Sequence, residues 1–254
     1  MSFLVAAEAY DRFMGRYSVP LAGEFADFAG LDGRRSVLDV GCGTGALTAV
    51  LVRELGEDAV SAVDPSEPFV AAARRRYPGV SVQQASAEEL PFADRTFDAA
   101  LAQLVVHFMT DPLAGLREMA RVTRPGGAVA ACVWDFGSGG SPLSLFWKAV
   151  RDLDPAAVDE SHLPGTREGH LGDLLREAGL HDVEETSLVT ALEHSSFEEW
   201  WDPFTLGVGP AGTYVAGLDE RRREQLRKRC REALGPAPFV VTARAWAARG
   251  LVSG

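Results

Sequence analysis

The first half of the chain alternates two kinds of segment. Val37-Leu38-Asp39-Val40, Val60-Ser61-Ala62-Val63-Asp64, Val80 to Gln84, Arg95 to Ala102 and Ala128 to Trp134 are short and mostly apolar, the pattern of strands buried within a sheet. Between them, Ala46 to Leu55, the stretch from Pro65 through Arg74, and Leu116 to Val122 are rich in helix formers. Strands alternating with helices predict a three-layer α/β/α sandwich with a mostly parallel sheet. Ahead of it, Ala6 to Tyr17 and then Leu21, Phe25 and Phe28 carry helical spacing, so residues 1–30 are expected to form a helical cap. A core over 31–136 and a third segment over 137–254 complete the expected division.

That third segment opens on the hinge-like Gly137-Ser138-Gly139-Gly140-Ser141-Pro142. Leu143 to Leu153, Gly169 to Ala178, Ser196 to Asp202 and Leu218 to Leu234 read as helices. Asp182 to Glu193 and Pro238 to Ala247 read as strands, and Leu206 to Gly217 as a glycine-rich loop. No internal repeat or low-complexity tract interrupts the pattern.

Composition narrows the classes. The 254 residues, 46% hydrophobic and 24% charged, suffice for a large domain with its own core. A net charge of −11 argues against a nucleic-acid partner. Arg74-Arg75-Arg76 and Arg221-Arg222-Arg223 are read as solvated helix faces. Cys42, Cys132 and Cys230 lack metal-ligand spacing; neither zinc nor disulfides are expected, in keeping with the cytoplasm. No stretch is long and apolar enough to suggest a membrane span, and no signal peptide is expected.

The chemistry concentrates in Asp39-Val40-Gly41-Cys42-Gly43-Thr44-Gly45. A strand meets a glycine turn that opens a helix, and the helix start offers free N–H groups to a ligand. Gly41-x-Gly43-x-x-Ala46 satisfies a loose dinucleotide pattern. Asp39 opposes that reading: its carboxylate would repel a pyrophosphate and attract an ammonium or sulfonium. Asp64, at the end of the second strand, is placed to accept ribose hydroxyls.

Asp39-x-Gly41-x-Gly43-x-Gly45 resembles the signature of the class I S-adenosylmethionine (SAM)-dependent methyltransferases, of the small-molecule, UbiE-like type. The likeness is dense from Ser36 to Val133 and includes Leu90-Pro91-Phe92, Phe97-Asp98 and Arg124-Pro125-Gly126-Gly127. The resemblance implies a Rossmann-like sheet of seven strands with one antiparallel, plus N- and C-terminal lid helices. It implies SAM as cofactor and S-adenosylhomocysteine as product. Asp39, Gly41, Cys42, Gly43 and Gly45 would surround the methionine part, and Asp64, Pro65 and Ser66 the ribose. Ser86, Ala87 and Glu88 would meet the adenine; the family usually has Asp where Ser86 stands, so this contact loses charge assistance. Gln103 and, from the cap, Tyr10, Arg16 and Tyr17 complete the expected cofactor site.

Methyl transfer from a sulfonium asks the protein mainly to align reactants and exclude water. His107 is the candidate general base, because an ordinary imidazole titrates near neutrality. The expected acceptor is a small molecule in an aromatic chamber of His107, Trp134, Phe136, Trp200, Trp201 and Phe204. Two rival readings remain: a noncatalytic SAM-binding protein, and a nicotinamide-dependent oxidoreductase. The second lacks a Tyr-x-x-x-Lys pair. The atom that is methylated and the oligomeric state stay open.

Overall fold

The computed structural model describes residues 7–254; the first six residues of the expected 1–30 cap lie outside them. Seven strands form one sheet: β1 (Val37–Val40), β2 (Val60–Asp64), β3 (Ser81–Gln84), β4 (Phe97–Gln103), β5 (Thr123–Trp134), β6 (His181–His194) and β7 (Phe239–Leu251). Their order is β3-β2-β1-β4-β5-β7-β6. The pairs from β3 to β5 are parallel, and β7 runs antiparallel to both neighbours. This is the expected Rossmann-like sheet with one reversed strand. The strand order reverses between β1 and β4, and such a switch point leaves a crevice outside the carboxyl ends of the two strands.

Alternate residues of β5 point to opposite faces. Ala128, Ala130, Cys132 and Trp134 join one core, and Val129, Ala131 and Val133 the other. Helices α1 (Ala7–Tyr10) and α2 (Arg16–Ala29) form the cap. With α3 (Ala46–Leu55) and α4 (Glu67–Arg76) they cover the first face. The second face is covered by α5 (Pro112–Val122) and by α7 (His170–Glu177), which follows α6 (Ser144–Leu153) in the chain. The last segment supplies α6, α8 (Phe197–Trp201), α9 (Gly209–Ala216) and α10 (Glu220–Leu234). Between α1 and α2 the chain widens into a π-turn over Asp11–Gly15, a form enriched at functional sites.

Three local expectations are corrected. The Arg124-Pro125-Gly126-Gly127 turn lies within β5, because α5 already ends at Val122. The last strand extends to Leu251, since its register with β5 persists that far. The stretch read as a glycine-rich loop contains helix α9. There Gly212 is needed for contact: a Cβ would stand 2.7 Å from the Gly207 carbonyl carbon.

Candidate active site

The glycine turn leaves β1 at the switch point. Gly41, Gly43 and Gly45 adopt φ of 73°, 55° and 96°, a region open to glycine at little cost. A Cβ on Gly41 would stand 2.4 Å from the Val105 side chain, and one on Gly45 would stand 2.5 Å from the Tyr77 ring. A Cβ on Gly43 would meet nothing within 4 Å, so open space lies before that peptide. Asp64 holds the turn in shape: its Oδ2 accepts the Gly43 N–H and its Oδ1 the Ser66 N–H, both at 2.8 Å. Burial pushes its carboxyl up to about 6 despite those bonds. Asp39 is buried beneath the turn and accepts the Thr48 hydroxyl at 2.6 Å. Its burial, with Asp64 adding repulsion, pushes it up to about 7.

The cap is bolted onto this turn. Asp11 accepts the Thr44 hydroxyl and pairs with Arg76, which also donates to the Thr44 carbonyl at 2.8 Å. Tyr10 packs on Phe69 with ring centroids 5.2 Å apart. Burial raises its hydroxyl to about 12, with the nearby Asp64 charge adding to the effect.

Beyond Tyr10 lies a small chamber with a cavity volume of about 40 Å³. Its walls come from the cap (Tyr10, Phe13, Met14), the end of β4 (Leu104, His107, Phe108), the end of β5 (Trp134, Phe136), and Leu143, Glu160 and residues 208–211. Leu104 has φ 62°, a conformation that costs a non-glycine residue roughly 1–3 kcal/mol and gathers at functional sites. Its N–H donates to the Cys132 carbonyl at 2.8 Å, so the sheet holds the strained turn in place. Phe136 is aimed by the preceding Asp135, which accepts from Arg244 and Ser138.

Three buried polar atoms here have no partner: Gln103 Oε1, His107 Nδ1 and Trp134 Nε1. Gln103 uses only its amide nitrogen, donating to the Ser18 carbonyl at 2.8 Å. Such atoms cost free energy unless something binds them. Full burial lowers His107 to about 3, which removes the premise that it titrates near neutrality and makes it a weak base. What remains for it is a chamber wall, with its ring 3.8 Å from that of Phe108.

Several expected site residues are engaged elsewhere. Arg16 pairs with Glu199, and Tyr17 shares a 2.9 Å hydrogen bond with His194 Nε2. Tyr17 thus fastens the cap to the end of β6 and Arg16 fastens it to α8, while Arg16 also lines a groove with Thr44 and Gly45 of the glycine turn. Glu88 accepts the Thr110 and Asp111 amides. Trp200, Trp201 and Phe204 do not line the chamber. Phe204 stacks on Phe146 at 4.5 Å and stands 5.0 Å behind Phe13. Trp200 packs on Phe204 at 4.8 Å, and Trp201 on Phe197. They back the wall. Cys42 is buried within the turn, its thiol pushed up by burial. Ser66 begins α4, Pro65 accepts from the Gln84 amide, and Ser86 and Ala87 follow β3 in the adenine-side loop.

Sequence reasoning missed Asp11, Arg76 and Glu160, whereas the end of the fourth strand, Leu104 included, was expected beside the reacting centre. For Asp11 and Arg76 a signal existed: opposite charges on the cap and on the helix after the ribose acid. For Glu160 there was none.

Comparison with known proteins agrees with this geometry. The methyltransferase domain family model matches residues 38–131, the stretch that builds the glycine turn and β4. An uncharacterized methyltransferase of Mycobacterium tuberculosis is 41% identical over 135 residues, 53% of this chain and 52% of its own. A demethylmenaquinone methyltransferase of Clavibacter sepedonicus is 30% identical over 198 residues, covering 71% of this chain and 76% of its own. The chain belongs to the class I SAM-dependent methyltransferases. A solved methyltransferase structure from Bacillus halodurans shares the fold, with a TM-score of 0.60 and 19% identity over 92% of this chain and 99% of that one. The chain spans about half the length of the mycobacterial relative it matches. Among the described residues no helix is long and apolar enough to cross a membrane.

The methyltransferase turn fits the family's cofactor. Gly43 opens onto free space beside a buried acid, and Gln103, whose Oε1 has no partner among the described residues, ends β4 at the same carboxyl edge of the sheet. Asp39, Gly41, Gly43 and Gly45 would hold the methionine part. Asp64 keeps lone pairs for the ribose hydroxyls, and Ser86 and Ala87 border the adenine position.

Proposed function

We propose that the protein transfers a methyl group from SAM to a small organic acceptor held in the chamber. One observation carries this: Tyr10 links the two halves of the site, packing on Phe69 of the helix that follows Asp64 on one side and lining the chamber on the other. The bound cofactor supplies an activated methyl on a sulfonium that leaves as a neutral thioether, in an in-line displacement. The chain's own contribution is alignment and dryness. The glycine turn and Asp64 fix one reactant, the aromatic walls fix the other, and the bolted cap excludes water. A small acceptor goes with the narrow, mostly apolar chamber of about 40 Å³, and with the net charge of −11, which disfavours nucleic acid. A cytoplasmic setting goes with three buried free cysteines.

Calorimetry with SAM, S-adenosylhomocysteine and NAD tests the reading. The two adenosyl sulfur compounds should bind and NAD should not. NAD binding without SAM binding overturns it. SAM binding with no S-adenosylhomocysteine released across a broad set of acceptors would favour a noncatalytic SAM-binding protein.

A further inference from the structure

Among the described residues Glu160 is the one carboxylate lining the chamber, and none of them pairs it with a cation. It is 3% exposed. Its Oε2 accepts the Trp147 indole N–H at 2.7 Å, a bond a neutral amide would make as well. Arg151, the nearby guanidinium, is paired with Asp159 instead. Burial, with Asp159 adding repulsion, pushes Glu160 up to about 7. A buried carboxylate without a counter-charge costs several kcal/mol. Yet its turn is built with care: the Asp159 side chain caps it at the Ser161 amide, and the Thr166 hydroxyl donates to the Ser161 and Leu163 carbonyls.

The other chamber groups point the same way. Among the described residues no lysine or arginine lines it. His107 is neutral across the physiological range, and the Tyr10 hydroxyl keeps its proton. The chamber therefore repels anionic acceptors and lacks only a positive charge. Phe13, Phe108, Trp134 and Phe136 supply ring surface, which also attracts cations.

We propose that the acceptor is an amine with an apolar body, and that Glu160 binds its ammonium group. This rests on the reading of the chamber as the acceptor site. Before the nitrogen can act as a nucleophile it must lose a proton. That N–H bond breaks toward Glu160, the electron pair stays on nitrogen, and Glu160 becomes the neutral acid.

The test uses benzylamine and its uncharged counterpart benzyl alcohol, titrated calorimetrically into the protein saturated with S-adenosylhomocysteine. The amine should bind the wild-type protein more tightly than the alcohol. Glu160→Gln, which keeps an acceptor for Trp147, should weaken the amine by roughly 10- to 150-fold, the range for a hydrogen bond to a charged group. It should leave the alcohol and S-adenosylhomocysteine unchanged. Equal or tighter binding of the alcohol to wild type, or an amine affinity indifferent to Glu160→Gln, overturns the proposal. So does a variant that loses SAM affinity while keeping S-adenosylhomocysteine, because Glu160 would then face the sulfonium. If S-adenosylhomocysteine binds and neither probe does, the amine proposal fails alone. If S-adenosylhomocysteine itself does not bind, the methyltransferase reading fails with it.

Discussion

At the glycine turn, Asp64 has both carboxylate oxygens on backbone amides and Asp39 holds the Thr48 hydroxyl. At the ends of β4 and β5, Gln103 Oε1, His107 Nδ1 and Trp134 Nε1 have no partner among the described residues, and Glu160 in its nearby turn has no counter-charge among them. The two halves of one site thus treat polar groups in opposite ways. The first is fixed in shape by protein hydrogen bonds before any ligand arrives, although its two buried carboxylates, like Glu160, have no cation paired with them among the described residues. The second is incomplete as a folded object, and its unmet polar groups describe what it lacks. A preorganised half suits a reactant that is always the same. An unsatisfied half is where discrimination arises, because a ligand that fails to meet a buried polar group leaves it unpaired.

Trp200→Ala offers the largest effect. Trp200 is 3% exposed and packs behind the chamber wall on Phe204, so its loss should destabilise the fold by about 3–5 kcal/mol. Chemical denaturation should show this, while probe binding to the remaining folded protein should barely change. A stable variant with altered ligand affinity would move Trp200 into the unsatisfied half.

Asp64→Ala attacks the satisfied half. It removes the acceptor for two amides and for the expected ribose hydroxyls, and should weaken S-adenosylhomocysteine by about 1.5–3 kcal/mol in calorimetry. Unchanged affinity in the folded variant would falsify the ribose assignment.

The smallest effect is a pH dependence. Glu160 moves from an ordinary 4.5 to about 7 on folding, so the folded protein holds that proton more tightly than the unfolded chain. Its stabilising contribution is complete below about pH 4.5 and is lost as the pH rises through 7. Over that window the wild-type protein should lose about 1–3 kcal/mol relative to Glu160→Gln, from the size of the shift. The groups facing Glu160 are the Trp147 indole, His107 and Tyr10 across the chamber, and Asp159 held by Arg151. Melting curves of both proteins at pH 4.5 and 7.5 check the sign. A parallel pair of curves would mean that Glu160 already has a counter-charge.

The same contrast explains what could be read from the chain alone. The satisfied half is local. Asp39 to Gly45 is one continuous turn, Asp64 closes the next strand, and each strand announces itself by its apolar run. The chamber is assembled from Tyr10, Leu104, Trp134, Glu160 and Val208, residues whose neighbours in sequence say nothing of one another. Trp134 and Phe136 were legible because they end a strand at the sheet's binding edge. Trp200, Trp201 and Phe204 share the same chemistry but sit one layer back, and only packing separates a wall from its backing. Glu160 lies in a short 3-10 turn with no periodic pattern, so its burial was invisible.

The placement of β7 has a consequence in time. It lies between β5 and β6, although it is made last of the three. β6 has no other neighbour in the sheet, so on the ribosome it must wait for β7 before it can pair. About 45 residues separate the two, which at ~5–20 residues per second is a delay of roughly 2–9 s. During that interval β5 presents a bare edge, and the residues that carry Glu160 and the outer wall hang from an unfinished sheet. The glycine turn and Asp64 suffer no such delay, since β1 to β4 can pair as they emerge. The nascent chain therefore completes its glycine turn seconds before it completes its chamber.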